Sequence, residues 1–332
     1  MWQVLRPPGR SDCIRLTSGH DSANLSPSRE NGSPEGSGTP AAYAHKHEDL
    51  MMNIQRFLIA GLMVGASLLT VSDVVHATHA WGNYHWARTA NPFTLKLGDN
   101  MSAAWKPLLS QASSDWNSPE LVGSTSPLIT AIVAGTANKQ CRMVAGTTQV
   151  CNGSYGRNGW LGLASINISG SHITQGSAKM NDTYFSTATY NNPNEKLHVV
   201  CQEIAHTYGL GHQSEDGSSQ NSCMDYFSNT GANATSTLST KPNAHDFQQL
   251  NQIYAHLDAT TTLANGVTQP GRFTDVTHGD PNSWGFLISQ SANGRSSIYE
   301  KDHGEGNKTI THVFWTLEAV ERCPSCDHRY DQ

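Results

Sequence analysis

The segment Cys201–His212, CQEIAHTYGLGH, contains the residues that decide how this sequence is interpreted. Glu203 and His206 are three positions apart, so on a helix they share one face. Gly209 can adopt the left-handed conformation that ends a helix and turns the chain back. Such a turn would bring His212 to the same point in space as His206. Two imidazoles beside a carboxylate are the parts of a catalytic zinc site, which needs ligands, an open position for water and a base.

The same segment resembles the active-site motif of the metzincin zinc metalloproteases, in which HExxHxxGxxH is followed by a Met-turn. Here the motif reads QEIAHTYGLGH, and a segment that resembles the Met-turn, SCMDY at Ser222–Tyr226, follows it. Tyr226 stands two residues after Met224, which is similar to the astacin and serralysin enzymes, where that tyrosine approaches the metal. The later segment HDFQQLNQIYA resembles the last helix of matrixin catalytic domains. The resemblance covers roughly Phe93 to Asp258.

The resemblance implies an α+β fold of the zincin or metzincin type, with a twisted mixed sheet, an active-site helix and a small C-terminal subdomain. It implies a secreted, matrixin-like zinc metalloendopeptidase that cleaves polypeptide substrates. The positions that correspond to the Zn²⁺ ligands are Gln202, His206 and His212. Glu203 is the expected general base, Tyr226 is expected to donate to the tetrahedral oxyanion, and Met224 is expected to lie beneath the histidines.

Gln202 departs from the family pattern, because the family has a histidine ligand at this position. Its amide oxygen is a neutral and harder donor than an imidazole nitrogen, which suits zinc better. Three interpretations follow. Gln202 binds zinc weakly beside the two histidines, or Tyr226 or another side chain completes the ligand set, or the metal is lost and the protein binds peptides or partners without cutting them. Retention of Glu203 favours activity, and hydrolysis of a non-peptide amide is a further alternative.

Hydrophobic patterning around the motif predicts a mixture of strands and helices. The predicted strands are Phe93–Gly98, Pro127–Gly135, Trp160–Ser169 and His172–Asp182, and the predicted helices are Met101–Asn117, Leu197–Gly209 and Asn243–Asp258. Pro127–Gly135 is continuously apolar, which indicates a buried strand. His172–Asp182 is polar enough to predict an edge strand, along which an extended substrate could pair. From about Thr260 the chain is loop-rich, with strand-like segments SWGFLIS, SSIYEK and KTITHVFW.

The N-terminal part of the sequence has two segments of contrasting composition. Residues 1–50 are rich in Ser, Pro and Gly, which predicts disorder or a mis-annotated extension of the gene. Residues 51–80 have the basic, apolar and small-residue parts of a secretory signal peptide. The remaining chain is divided into a catalytic domain, 81–258, and a loop-rich β extension, 259–332. We expect an extracellular, monomeric protein without membrane attachment once the signal is removed.

The number of cysteines is consistent with a secreted protein. Removal of residues 1–80 leaves six of the seven cysteines, and an even number in an exported chain fits disulfides. Cys141 and Cys151 bracket a short loop and are expected to bridge it. A bridge between Cys201 and Cys223, preferred among fifteen possible connectivities, would tie the active-site helix to the Met-turn. The CxxC pair at 323–326 is expected to form a local disulfide or to remain as free thiols.

Charge and composition exclude one class of function. The chain has 21 basic and 27 acidic residues and a net charge of −6, so it lacks the basic footprint of a nucleic-acid-binding protein. Charged residues make up only 14% of the sequence, against about 25% in average soluble proteins. The surface is instead made polar by Ser, Thr, Asn, Gln and Gly, as is common in secreted proteins.

Overall fold

The computed structural model describes residues 79–136, 140–264 and 280–330. The strands are β1 His85–Trp86, β2 Phe93–Asn100, β3 Leu128–Ala134, β4 Thr147–Gly153, β5 Trp160–Ser169, β6 His172–Asn181, β7 Phe286–Gln290, β8 Ser296–Gly304 and β9 Asn307–Trp315. The helices are α1 Lys106–Trp116, α2 Asp182–Phe185, α3 Pro193–His206, α4 Ala244–Ile253 and α5 Leu317–Arg322. The predicted extension and nearly all of the predicted signal peptide lie outside the described residues.

One large sheet organises the described chain. Its strand order is β3-β2-β4-β6-β5-β9-β8-β7, and β1 pairs separately with β6. Strands β2, β3, β4 and β6 run parallel, whereas β5 is antiparallel to both of its neighbours. The result is a mixed α/β fold with a large mixed sheet and few helices, which is compatible with the predicted α+β class.

Two predicted strand environments are wrong. The segment predicted as the edge strand, β6, lies inside the sheet between β4 and β5. Its polar side chains have buried partners: Thr174 Oγ1 donates to the Asn167 carbonyl, and Asn181 Nδ2 donates to the Trp160 carbonyl. The apolar segment predicted to be buried, β3, is instead the edge strand, so its outer face meets solvent and Ile129 is 43% exposed.

Helix α3 forms because both of its ends carry strong local signals. The Asn192 side chain accepts a hydrogen bond from the Glu195 N–H, and Pro193 occupies the first turn, where its missing N–H costs nothing. The helix ends at His206, and Gly209 follows with a φ of +95°. The predicted turn at this glycine is confirmed. A Cβ at Gly209 would also collide with the backbone of Tyr84, so the turn can pack closely only as glycine.

The main hydrophobic core lies between the sheet and helices α1 and α3. Leu109 and Trp116 of α1 and Val200 and Ile204 of α3 are fully buried in this core. No helix among the described residues is both long and apolar enough to cross a membrane.

The C-terminal segment continues the same sheet. Strand β9 pairs antiparallel with β5 along nearly its whole length, and β8 and β7 follow outward. A second, smaller core lies on this side of the sheet and contains Trp160, Trp284, Tyr299, Val313 and Trp315. The edge of β5, which would be open without the C-terminal strands, is therefore covered.

Candidate metal centre

His206 occupies the last turn of α3 with a fixed ring orientation. Its Nδ1–H donates to the Leu210 carbonyl at 2.7 Å, so the Nε2 atom carries the lone pair. The Nε2 atom is buried and has no hydrogen-bond partner among the described residues. This is the arrangement of a histidine whose backbone hydrogen bond selects one nitrogen for a ligand.

His212 reaches the same place through the turn at Gly209. The centroids of the His206 and His212 rings lie 4.6 Å apart, which is the convergence that the sequence predicts. The Tyr226 hydroxyl lies 2.6 Å from His212 Nδ1, and His212 Nε2 is buried without a partner. The contact with the Tyr226 hydroxyl therefore fixes the orientation of the His212 ring.

A third histidine arrives from the far C-terminal strand. His312 of β9 pairs with Ala164 of β5 and places its ring 3.9 Å from that of His206 and 4.7 Å from that of His212. One nitrogen from each of the three histidines lies within 4.8 Å of the other two. His312 was not among the predicted ligands, although it lies on the same face of a predicted strand as Ile310 and Phe314.

Glu203 lies beside this histidine cluster. Its side chain is fully buried, and its Oε2 atom is 3.8 Å from His312 Nδ1. The space for the carboxylate exists because residue 162 on β5 is glycine; a Cβ there would meet Glu203 and lie 2.7 Å from Val199 Cγ1. The predicted base and two predicted ligands are thus brought together with His312.

The cluster gathers six buried polar atoms that have no hydrogen-bond partner in the described part of the chain. They are Nε2 of His206, Nε2 of His212, both ring nitrogens of His312 and both carboxylate oxygens of Glu203. Unpaired buried polar atoms are rare and cost about 1–3 kcal/mol each. Three imidazoles with free nitrogens suit zinc, copper, nickel or iron. The donor set fits a transition-metal ion.

Burial controls the protonation of the centre. Desolvation lowers the pKa of His206 to about 4 and holds the pKa values of His212 and His312 well below the usual range. All three rings are therefore neutral at pH 7, which is the form that binds metals. Desolvation also raises the pKa of Glu203 well above its usual value, so this carboxyl group holds a proton readily.

The Gln202 amide uses its nitrogen to hold the backbone of the predicted Met-turn. Its Nε2 group donates to the carbonyls of Cys223 and Asp225, at 3.0 and 2.9 Å, and so fixes the backbone on either side of Met224. The Gln202 Oε1 atom is buried without a partner among the described residues. The amide therefore fastens α3 to the predicted Met-turn, in which Met224 is buried.

The predicted cysteine pairs lie at disulfide distance. Cys201 is bonded to Cys223, which joins α3 to the segment below it, and Cys141 is bonded to Cys151. The CxxC cysteines, 323 and 326, form a third pair. Three such pairs are compatible with an extracellular protein.

Trp81 covers the histidine cluster from the side of the N-terminal segment. Its ring packs edge-on against His206 and His312, with centroid distances of 5.6 and 6.2 Å. Backbone hydrogen bonds hold this cover: Trp81 N–H donates to the Gly209 carbonyl, and Gly211 N–H donates to the His79 carbonyl. The candidate centre is consequently shielded from bulk water.

Comparison with protein-family models gives no match, and comparison with curated proteins gives none either. The functional interpretation therefore depends on the residues described above.

Proposed function

We propose that this chain is a secreted zinc-dependent metalloendopeptidase of metzincin-like type, with His206, His212 and His312 as the metal ligands. The main support for this proposal is the set of buried nitrogen and oxygen atoms on these histidines and on Glu203 that have no hydrogen-bond partner among the described residues. In this proposal His312 takes the ligand role that the family pattern gives to the position of Gln202. Three protein ligands with room for a water are typical of catalytic zinc.

Each remaining side chain has a role in peptide hydrolysis. A bound zinc ion supplies a Lewis acid and lowers the pKa of a water molecule. Glu203 would accept a proton from the attacking water and deliver it to the leaving amine. Its raised pKa helps it to hold the proton between these two events. Tyr226 keeps His212 oriented through the hydroxyl contact at 2.6 Å.

Burial of the centre places a condition on the substrate. All three histidine side chains and Glu203 are nearly inaccessible, and Trp81 lies over the rings. A polypeptide therefore reaches the centre only after a covering segment moves. Trp81, the first residue after the predicted signal peptide, is held by a backbone hydrogen bond to Gly209 and by packing in the main core, and in this proposal it is the residue that moves.

The same burial favours a second candidate function. A closed three-histidine centre could be purely structural, in a protein that binds peptides or partners without cutting them. Coverage of β5 by β9 supports this alternative, because β5 is then closed to an extended peptide. Glu203 argues against it, since a structural site has no need for an unpaired buried carboxylate.

Zinc content and casein cleavage by the purified protein separate the two candidates. We expect cleavage by wild type, loss of cleavage with unchanged zinc in Glu203→Gln, and loss of cleavage together with the zinc ion of this centre in His312→Ala. His303→Ala, which removes a histidine on the β8 side of the C-terminal hairpin, is the matched control and should change neither. Stable zinc in an inactive wild type would favour the structural centre, and absence of metal from wild type would contradict both.

A further inference from the structure

A second group of histidines surrounds one carboxylate oxygen away from the candidate catalytic centre. Asp258 Oδ1 lies 3.4 Å from His85 Nε2, 3.2 Å from His172 Nε2 and 3.7 Å from His256 Nε2. The Nε2 atoms of His85 and His256 are themselves 3.1 Å apart. Three different segments of the chain supply these residues: β1, the start of β6 and the loop after α4.

These separations match a metal coordination shell. Tetrahedral zinc with bonds of about 2.0–2.1 Å places its ligand atoms about 3.3 Å from one another. The three separations among His85 Nε2, His256 Nε2 and Asp258 Oδ1, 3.1 to 3.7 Å, bracket this value. His172 Nε2 lies 3.2 Å from the same carboxylate oxygen. A hydrogen bond between His85 and His256 would use one proton and one lone pair, whereas a metal ion would accept lone pairs from both nitrogens.

Neighbouring groups hold the donor atoms in place. Asp258 Oδ2 accepts hydrogen bonds from the Arg88 backbone N–H and from Arg88 Nη1, at 3.1 and 2.8 Å, which leaves Oδ1 directed at the histidines. His85 Nδ1–H donates to the Asn83 carbonyl at 2.9 Å, which leaves the lone pair on Nε2. Bound metal sites have such outer partners, which fix the orientation of each ligand.

The site also has an entry route. His85 and His256 line a cavity of about 650 Å³, together with Ser171, Gln249 and Gln252. The His256 side chain is 53% exposed and that of His172 is 38% exposed, so an ion can arrive without unfolding. Imidazole nitrogens with one carboxylate oxygen are donors that suit zinc.

We infer that His85, His256 and Asp258 form a second metal site, for zinc or a similar divalent transition metal, with His172 beside the carboxylate. The ion would join β1 to the loop after α4, and would therefore stabilise the fold. Such a site is independent of the proposed peptidase activity, because none of its residues belongs to the first histidine cluster.

The test is zinc stoichiometry and thermal stability of the full chain, with zinc ion as the probe. We expect two zinc ions per wild-type chain, one in His172→Ala/His256→Ala, and one in His312→Ala. Added zinc should raise the melting temperature of metal-stripped wild type more than that of the double variant. His303→Ala again serves as the control for loss of a partly exposed histidine.

Each outcome bears on one site. Loss of one zinc ion in His172→Ala/His256→Ala supports the second site even if His312→Ala retains full zinc, a result that would contradict only the proposed catalytic centre. Equal zinc content in wild type and the double variant would overturn the inference. So would a double variant that keeps the full zinc-induced rise in melting temperature, because both substituted side chains are exposed enough to be removed without unfolding.

Discussion

At the scale of single residues, Gln202 holds the backbone around Met224, and His312 supplies the third imidazole of the histidine cluster. The Gln202 amide donates two hydrogen bonds from one nitrogen, to the carbonyls that flank Met224. A neutral imidazole has only one N–H and cannot satisfy both carbonyls. His312 supplies the third imidazole from another part of the fold. The backbone that glutamine holds at position 202 is therefore one reason for this residue, whichever groups bind the metal.

Gln202→His is expected to weaken the protein. One of the two buried carbonyls loses its donor, which costs about 1 to 3 kcal/mol of unfolding free energy. Zinc content should not rise, because His312 already completes the ligand set in our proposal. Denaturant unfolding and zinc titration measure the two effects. Recovery of zinc binding in the double variant Gln202→His/His312→Ala, at wild-type affinity, would instead assign position 202 to the metal.

Gly162→Ala is expected to displace Glu203, the proposed general base, while leaving the proposed metal ligands in place. The new methyl group would meet the Glu203 carboxylate and approach Val199 Cγ1 to 2.7 Å. We expect the rate of casein cleavage to fall tenfold or more, with unchanged zinc content. A tenfold fall corresponds to an increase of about 1.4 kcal/mol in the activation free energy. Gly170→Ala is the control without a side-chain collision: nothing lies within 4 Å of its Cβ, and only its φ of +62°, a backbone cost that Gly162 lacks, opposes the substitution. Equal activity losses in the two variants would contradict the placement of Glu203.

At the scale of elements, strand β9 joins the two cores of the molecule. Ile310 and Phe314 face the main core on the same side as His312, whereas Val313 and Trp315 face the second core. Because side chains alternate along a strand, a shift of one residue in the pairing with β5 would turn His312 away from the centre. The register Ala164–His312 is therefore what brings the third histidine to the cluster.

The Cys201–Cys223 bridge is expected to stabilise the centre as well as the fold. It closes a loop with a sequence separation of 22, which corresponds to about 3 kcal/mol of unfolding free energy. In Cys201→Ala/Cys223→Ala, α3 loses a covalent tie to the segment that carries Met224, so zinc should dissociate faster. Cys323→Ala/Cys326→Ala removes a bridge of separation 3 far along the chain and should leave zinc dissociation unchanged. Identical zinc release from both variants would contradict this role.

Local features of the centre could be predicted from the sequence, but the sheet neighbours could not. Glu203, His206, Gly209 and His212 lie within ten residues, so helix periodicity and one glycine turn determine their convergence. His312 depends on which strand β9 joins, a choice made by long-range pairing and by packing in two cores. The prediction that β6 is an edge strand was wrong for the same reason. Its polar side chains indicated exposure to solvent, but inside the sheet they form hydrogen bonds with buried partners.

At the scale of the whole molecule, stability should depend on one buried cation. Lys179 of β6 is almost inaccessible, and its amine lies 5.6 Å from the centre of the Tyr155 ring. Burial lowers the pKa of Lys179 from 10.5 to about 7. Between these values the unfolded chain binds a proton that the folded chain releases, so unfolding becomes less favourable as pH rises.

We expect the Lys179 contribution to raise the free energy of unfolding by about 3 kcal/mol between pH 7 and pH 10. Lys179→Met removes the titrating group and keeps the apolar stem, so this part of the pH dependence should disappear. The stability difference between the two proteins should therefore be largest near pH 7 and below. Parallel stability curves for wild type and Lys179→Met across this range would contradict a desolvated lysine.

The pairing of β9 with β5 also has a consequence for the order of synthesis. Glu203, His206 and His212 leave the ribosome about 100 residues before His312 does. At roughly 5–20 residues per second, that interval is about 5 to 20 seconds. During this time the nascent chain has the base and two imidazoles but lacks the third. The proposed metal centre is therefore completed only when β9 has emerged and paired with β5.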